Sequence, residues 1–261
     1  VKRLKKSCSV TRSKNFSGAM NREYFRWYSH RLHRDMELLV FGHAGAKVLM
    51  FPTRDGRFWE YEQLGIVGSL AEKLEAGQLQ LYCIDGLANE TFYETRRHPA
   101  ERIRRHAALE DYVLNEVLPL MAQKNPHDCI IVQGCSLGAY QAASLVFRHP
   151  QLFRKLVAFS GRYDLTMKVE CFDDLFDGYY DDTIYFHTPT HFLPQLSCDR
   201  QLGRLRQLDI VLTIGNEDPF LDNNRHLSRL LADKGVNHRL HFWDGRAHRA
   251  GAWRRMAPLY I

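Results

Sequence analysis

The chain has 261 residues, 45% of them hydrophobic and 25% charged, with a formal net charge of +6. That length can bury one large α/β core, and no apolar run approaches the roughly 20 residues that cross a bilayer, which argues against a membrane span. The charge argues against a nucleic-acid binder as well: Lys2, Arg3, Lys5, Lys6, Arg12 and Lys14 account for it, and the rest of the chain holds equal numbers of basic and acidic residues.

Residues 1–20 show no hydrophobic period and read as a basic, flexible tail. Three strands are expected next, over 23–32, 36–41 and 46–51, joined through Arg34-Asp35 and through residues 42–45. Residues 52–56 form a loop. Apolar positions recur at helical spacing over 58–74, ending at Gly77, and 79–84 is another strand. An amphipathic helix is expected over 99–123, interrupted near Pro119. The run 129–132 is a buried strand, 139–147 a helix and 156–160 the next strand. Residues 162–206 differ: they are aromatic and acidic, carry Pro189 and Pro194, and lack a sustained period. They read as an insertion of short helices over the sheet edge. Alternation returns with a strand at 210–214, a helix at 222–233, a strand at 239–243 and a last helix around 252–258. Strands alternating with helices imply an α/β fold with a mostly parallel sheet, covered on both faces, plus an antiparallel N-terminal edge. Residues 21–261 are expected to form a single domain around it.

The basic N-terminal segment lacks the 7–15-residue apolar stretch of a secretory signal. Six cysteines show no C-x-x-C or metal-ligand spacing, and thirteen histidines are scattered without acidic or cysteine partners. A cytoplasmic protein with free thiols and no metal is expected. Oligomeric state is not legible.

The most informative segment is Gly134-Cys135-Ser136-Leu137-Gly138. This G-x-S-x-G lies between a buried strand and a helix, the context in which a sharp turn presents a serine hydroxyl at the sheet rim. Residues without a β-carbon on both flanks let strand and helix approach closely. The Leu137 amide, at the helix N-terminus, would face a developing oxyanion. Cys135 is the alternative nucleophile, but the turn points its side chain back toward the core, where it packs.

A serine hydroxyl is a weak nucleophile near neutral pH and needs a histidine base held by a third group. In a parallel sheet the loops at strand C-terminal ends hold the chemistry, and two such loops supply candidates. Asp218, in Gly215-Asn216-Glu217-Asp218-Pro219, is the chosen orienter, with Glu217 adjacent and Asp222 further on as rivals. His248, in Asp244-Gly245-Arg246-Ala247-His248, is the chosen base, because His226, His238 and His241 fall in or beside helix and strand. A second oxyanion donor should come from the loop after the third strand, where the amides of Thr53, Arg54 and Asp55 are candidates.

These residues resemble the α/β-hydrolase superfamily, in its esterase branch related to esterase D (S-formylglutathione hydrolase) and feruloyl-esterase-like enzymes. The similarity covers about residues 22–261. It rests on the nucleophile motif through Ala139, on His149-Pro150-Gln151-Leu152-Phe153 leading to Ser160-Gly161-Arg162-Tyr163-Asp164, on Gly215-Asn216-Glu217-Asp218, and on Gly245-Arg246-Ala247-His248 with Trp253. The resemblance implies a Ser136–Asp218–His248 triad, Leu137 as an oxyanion donor, no cofactor, and a small ester or thioester as substrate. The chain departs from the family at the histidine, where His-Asp-Trp is common and His248-Arg249-Ala250-Gly251-Ala252-Trp253 stands instead. Hydrolysis through an acyl-enzyme is the leading expectation. Acyl transfer on the same triad and an inactive, esterase-like binding protein are the alternatives.

Overall fold

The computed structural model describes residues 20–261. The basic tail expected over 1–20 lies, apart from Met20, outside the described residues. Chain order opens with β1 (Arg22–Ser29), β2 (Arg34–Phe41) and β3 (Ala46–Phe51), then the short helices α1 (Glu60–Gln63), α2 (Ile66–Ser69) and α3 (Ala71–Glu75). β4 (Leu79–Ile84), α4 (Pro99–Tyr112), α5 (Leu118–Lys124), β5 (Ile130–Cys135), α6 (Leu137–Arg148) and β6 (Lys155–Phe159) follow. The last third holds α7 (Asp182–His187), α8 (Pro189–Gln195), α9 (Asp199–Leu205), β7 (Asp209–Gly215), α10 (Leu221–Asp233), β8 (Arg239–Trp243) and α11 (Ala250–Tyr260).

The eight strands form one sheet in the order β1-β2-β4-β3-β5-β6-β7-β8. Pairings from β4 to β8 are parallel, while β1–β2 and β2–β4 are antiparallel. The expected parallel sheet with an antiparallel edge is therefore present, but only two of the three opening strands make that edge. β3 lies inside the parallel region, beyond β4, because the α1–α3 crossover carries the chain over the sheet between them.

Side chains alternate between two buried faces, which is why the central strands read as unbroken apolar runs. Leu49, Val132, Leu156 and Ala158 point into a core shared with α4–α6 and α10. Val48, Ile131, Val157 and Phe159 point into a second core roofed by α1–α3 and α11. The helix expected over 58–74 is three short pieces instead. Gly65 has φ +72°, a left-handed residue that breaks the α-helical hydrogen-bond ladder. The helix expected over 99–123 is interrupted by a π-helical turn at Val113–Val117, immediately before Pro119. Proline lacks an N–H for the ladder and crowds the carbonyl four residues back, and the wide turn re-registers the helix around it.

One buried polar cluster lies between α4, α6 and α7. His106 is 4% exposed, its ring 4.7 Å from Phe92 and 5.4 Å from His187, and neither of its nitrogens has a hydrogen-bond partner among the described residues. Burial, with a further push from His187, lowers its pKa from 6.5 to about 3. The unfolded chain takes up this proton near pH 6.5, whereas the folded one resists it until about pH 3. The stabilisation is thus complete above pH 6.5 and is lost as pH falls through that window, by up to about 1.4 kcal/mol per pH unit. Urea midpoints measured from pH 7 to pH 5 should fall more steeply for the wild type than for His106→Phe. Equal slopes would remove His106 as the cause.

Candidate active site

The site begins at the junction of β5 and α6. Ser136 has φ 57° and ψ −119°, a conformation that costs most non-glycine residues about 1–3 kcal/mol. Its surroundings hold it there: its N–H donates to Phe159 O at 2.8 Å, and its carbonyl accepts from Ala139 N at 3.0 Å. The two motif glycines are explained by contact. A β-carbon on Gly134 would lie 2.0 Å from Gly138 O, and one on Gly138 would lie 2.2 Å from Phe51 O. The second contact also presses the start of α6 against the C-terminal end of β3, bringing residues 52–56 beside the serine.

His248 stands on the loop after β8. Two left-handed residues, Gly245 at φ 69° and Ala247 at φ 49°, turn the chain back toward the sheet rim. The neighbouring loops are tied together, with Asn216 N donating to Trp243 O at 2.8 Å and Glu217 N to Gly245 O at 3.1 Å. The imidazole Nε2 lies 2.9 Å from Ser136 Oγ and Nδ1 lies 2.8 Å from Asp218 Oδ2. Asp218 is buried, and its other oxygen accepts from Phe220 N at 3.0 Å. Both carboxylate oxygens are thus occupied and the histidine ring is fixed from behind. Although the sequence after His248 departs from the family pattern, Trp253 still comes to 5.6 Å from the imidazole, its Nε1 donating to Ser160 Oγ at 3.2 Å.

The rivals lie elsewhere. Glu217 is exposed, and Asp222 is exposed beside Arg225 at 3.2 Å. His238 contacts Ser228 Oγ, and His241 stacks on Tyr260. Cys135 is fully buried beside Gln133, and burial pushes its thiol up to about 12, far from the thiolate that a nucleophile requires.

The loop after β3 departs from expectation at one position. Thr53 N–H, expected as a donor, is engaged by Glu60 Oε2 at 2.7 Å, and its hydroxyl binds the other oxygen of the same carboxylate. The Arg54 amide has no acceptor among the described residues, as is also true of the Leu137 amide at the first turn of α6. Sequence reasoning missed Glu60, which anchors the loop from α1; burial raises its pKa against the pull of the Thr53 bonds. It also missed Phe220, whose ring lies 6.2 Å from His248. Only the position of each after a strand could have signalled them. Among the described residues no three His, Cys, Asp or Glu side chains converge as metal ligands.

The family model described as "Putative esterase" matches residues 29–256. No curated protein sequence matches the chain significantly. Among solved structures, a ferulic acid esterase superposes with a TM-score of 0.73 at 14% identity, covering 91% of this chain and 95% of its own. An S-formylglutathione hydrolase from Agrobacterium tumefaciens gives 0.69 at 15%, covering 95% of each chain. One from Staphylococcus aureus gives 0.66 at 16%, covering 93% of this chain and 95% of its own. At such identities the likeness is one of fold, that of α/β-hydrolase esterases.

Proposed function

The chain belongs to this family of esterases, and we propose that Ser136, His248 and Asp218 hydrolyse carboxylic esters or thioesters through an acyl-enzyme intermediate. The observation that carries the reading is the continuous relay from Ser136 Oγ through both nitrogens of His248 to Asp218, at 2.9 and 2.8 Å. Ser136 Oγ attacks the acyl carbon as His248 Nε2 takes its proton. Asp218 receives the Nδ1–H bond, holds the tautomer with Nε2 free to accept, and stabilises the imidazolium that forms. The amides of Leu137 and Arg54 receive the oxyanion. His248 then protonates the departing alcohol or thiol, and water, deprotonated by the same ring, releases the acid. Residues 21–261 act in this reading as one unit, with 162–206 as an insertion beside the site.

A fluorophosphonate probe tests the premise directly. Wild-type protein should be labelled covalently and Ser136→Ala should not. Absence of labelling in both would favour a binding protein that has lost chemistry. Adding an alcohol to the ester assay separates hydrolysis from transfer, since a hydrolase yields free acid and a transferase a new ester.

A further inference from the structure

A cavity of about 280 Å³ opens beside the proposed site, lined by Arg54, Tyr93, Arg162 and Phe172 among others. It is joined to the triad by aromatic contacts. Phe172 packs on Phe220 at 4.8 Å between centroids, and Phe220 in turn lies 6.2 Å from the His248 ring. Arg54, on the oxyanion loop, lays its guanidinium over Tyr93 at 4.0 Å.

Three arginines (Arg54, Arg102 and Arg162) and three aspartates line this cavity, but their pairing leaves two of the arginines without a carboxylate hydrogen bond. Each of the three aspartates, Asp173, Asp174 and Asp177, already has its own partner. Asp173 pairs with Lys168 at 2.8 Å, Asp177 with Arg102, and Asp174 accepts the amides of Phe176 and Gly178 at 2.8 and 2.7 Å. Among the described residues neither Arg162 nor Arg54 is hydrogen-bonded to a carboxylate, although Asp164, Asp173 and Asp174 lie near enough to act on Arg162 through space. Arg162 is 6% exposed, with its guanidinium fixed by backbone carbonyls alone: Nε donates to Asp164 O at 3.2 Å, and Nη2 to Met167 O and Asp173 O. Its Nη1 makes no hydrogen bond among the described residues. Neutral carbonyls position the Arg162 guanidinium, and the nearby carboxylates act on it only through space, which leaves its Nη1 edge open to a directly bonded oxyanion. Such a group, desolvated and rigid, gains most from an added oxyanion. Arg54 offers only a distant contact to Asp55 at 3.8 Å, and its side chain is half exposed.

We propose that Arg162 and Arg54 form a subsite for an anionic group, a carboxylate or phosphate, on the ester substrate, so that the enzyme selects acidic esters over neutral ones of the same shape. The proposal rests on the hydrolase reading of Ser136. The aromatic walls of Tyr93 and Phe172 would hold the carbon skeleton between the scissile bond and that charge. Arg162 then fixes the anion in plane, and Arg54 draws it in from the open side.

The test compares matched p-nitrophenyl esters, heptanoate against the adipate half-ester of the same length, for an acyl-side anion. A second neutral and acidic pair carries the carboxylate, or a phosphate, on the leaving alcohol. Wild-type kcat/KM should favour the acidic member of at least one pair by about tenfold or more, the scale of one charge-assisted hydrogen bond. That preference should shrink with added salt. The acidic-to-neutral ratio should collapse in Arg162→Gln and in Arg54→Gln, and Arg162→Lys should restore part of it. Arg54 is exposed, so its variant reads out the subsite even where loss of the buried Arg162 impairs folding. Ratios near one in every pair, with normal fluorophosphonate labelling of Ser136, overturn the subsite and leave the hydrolase reading standing. Absence of labelling overturns both.

Discussion

Replacing Ser136 with alanine should lower kcat for a p-nitrophenyl ester by about a million-fold, the loss seen when a triad nucleophile is removed from a preorganised site. Little else changes with the substitution. Alanine meets the same backbone demand at φ 57°, and the only bond lost is the one from the hydroxyl to His248 at 2.9 Å. Thermal unfolding should therefore stay close to that of the wild type while turnover disappears, which separates chemistry from stability. The neighbouring thiol supplies the control. Cys135 is fully buried, with its thiol pushed up to about 12, so Cys135→Ala should keep turnover and cost only packing. A Ser136→Ala protein that still turns over ester, beside a dead Cys135→Ala protein, would transfer the nucleophile to sulfur.

The parts of this molecule that were legible in the sequence are those fixed by short-range constraint. Gly134 and Gly138 announce the turn because each meets backbone at about 2 Å where a β-carbon would stand. Asp218 and His248 could be named because parallel strands end on one rim, so a polar residue just past β7 and another just past β8 have only that rim to occupy. The alternation of Val48 with Leu49, or of Leu156 with Val157, is visible as an apolar run for the same local reason. What remained hidden depends on contacts between segments distant in the chain. The sequence 58–74 has a helical period throughout, and only packing beneath α11 shows that Gly65 turns left-handed within it. Thr53 and Arg54 look equivalent as amide donors until Glu60 reaches back from α1 and engages the first. Arg162 stands at the start of an aromatic, acidic stretch without a sustained period, and nothing in that stretch signals that carbonyls at 164, 167 and 173 fold around it and bury it. Long side chains that satisfy remote backbone leave no periodic trace in the sequence.

Asp218→Asn should cost about 10⁴-fold in kcat, with the fold intact. The reason lies in which atoms the carboxylate serves. Asp218 accepts on both oxygens, from Phe220 N at 3.0 Å and from His248 Nδ1 at 2.8 Å. An asparagine has one acceptor oxygen. The backbone amide of Phe220 cannot reverse its polarity, so the amide oxygen stays with Phe220 and the NH₂ turns toward the imidazole. His248 Nδ1 must then accept, which places the ring proton on Nε2. That proton points at Ser136 Oγ, 2.9 Å away, and a base already carrying a proton there cannot remove another. The geometry survives while the tautomer is wrong, and the loss therefore falls on kcat far more than on KM. Fluorophosphonate labelling should slow in parallel, because it needs the same deprotonation. Glu217→Gln, one residue away but exposed and outside the relay, gives the comparison. If Asp218→Asn turned over ester at the wild-type rate while Glu217→Gln did not, Asp218 would be a loop anchor and the orienting charge would lie with its neighbour.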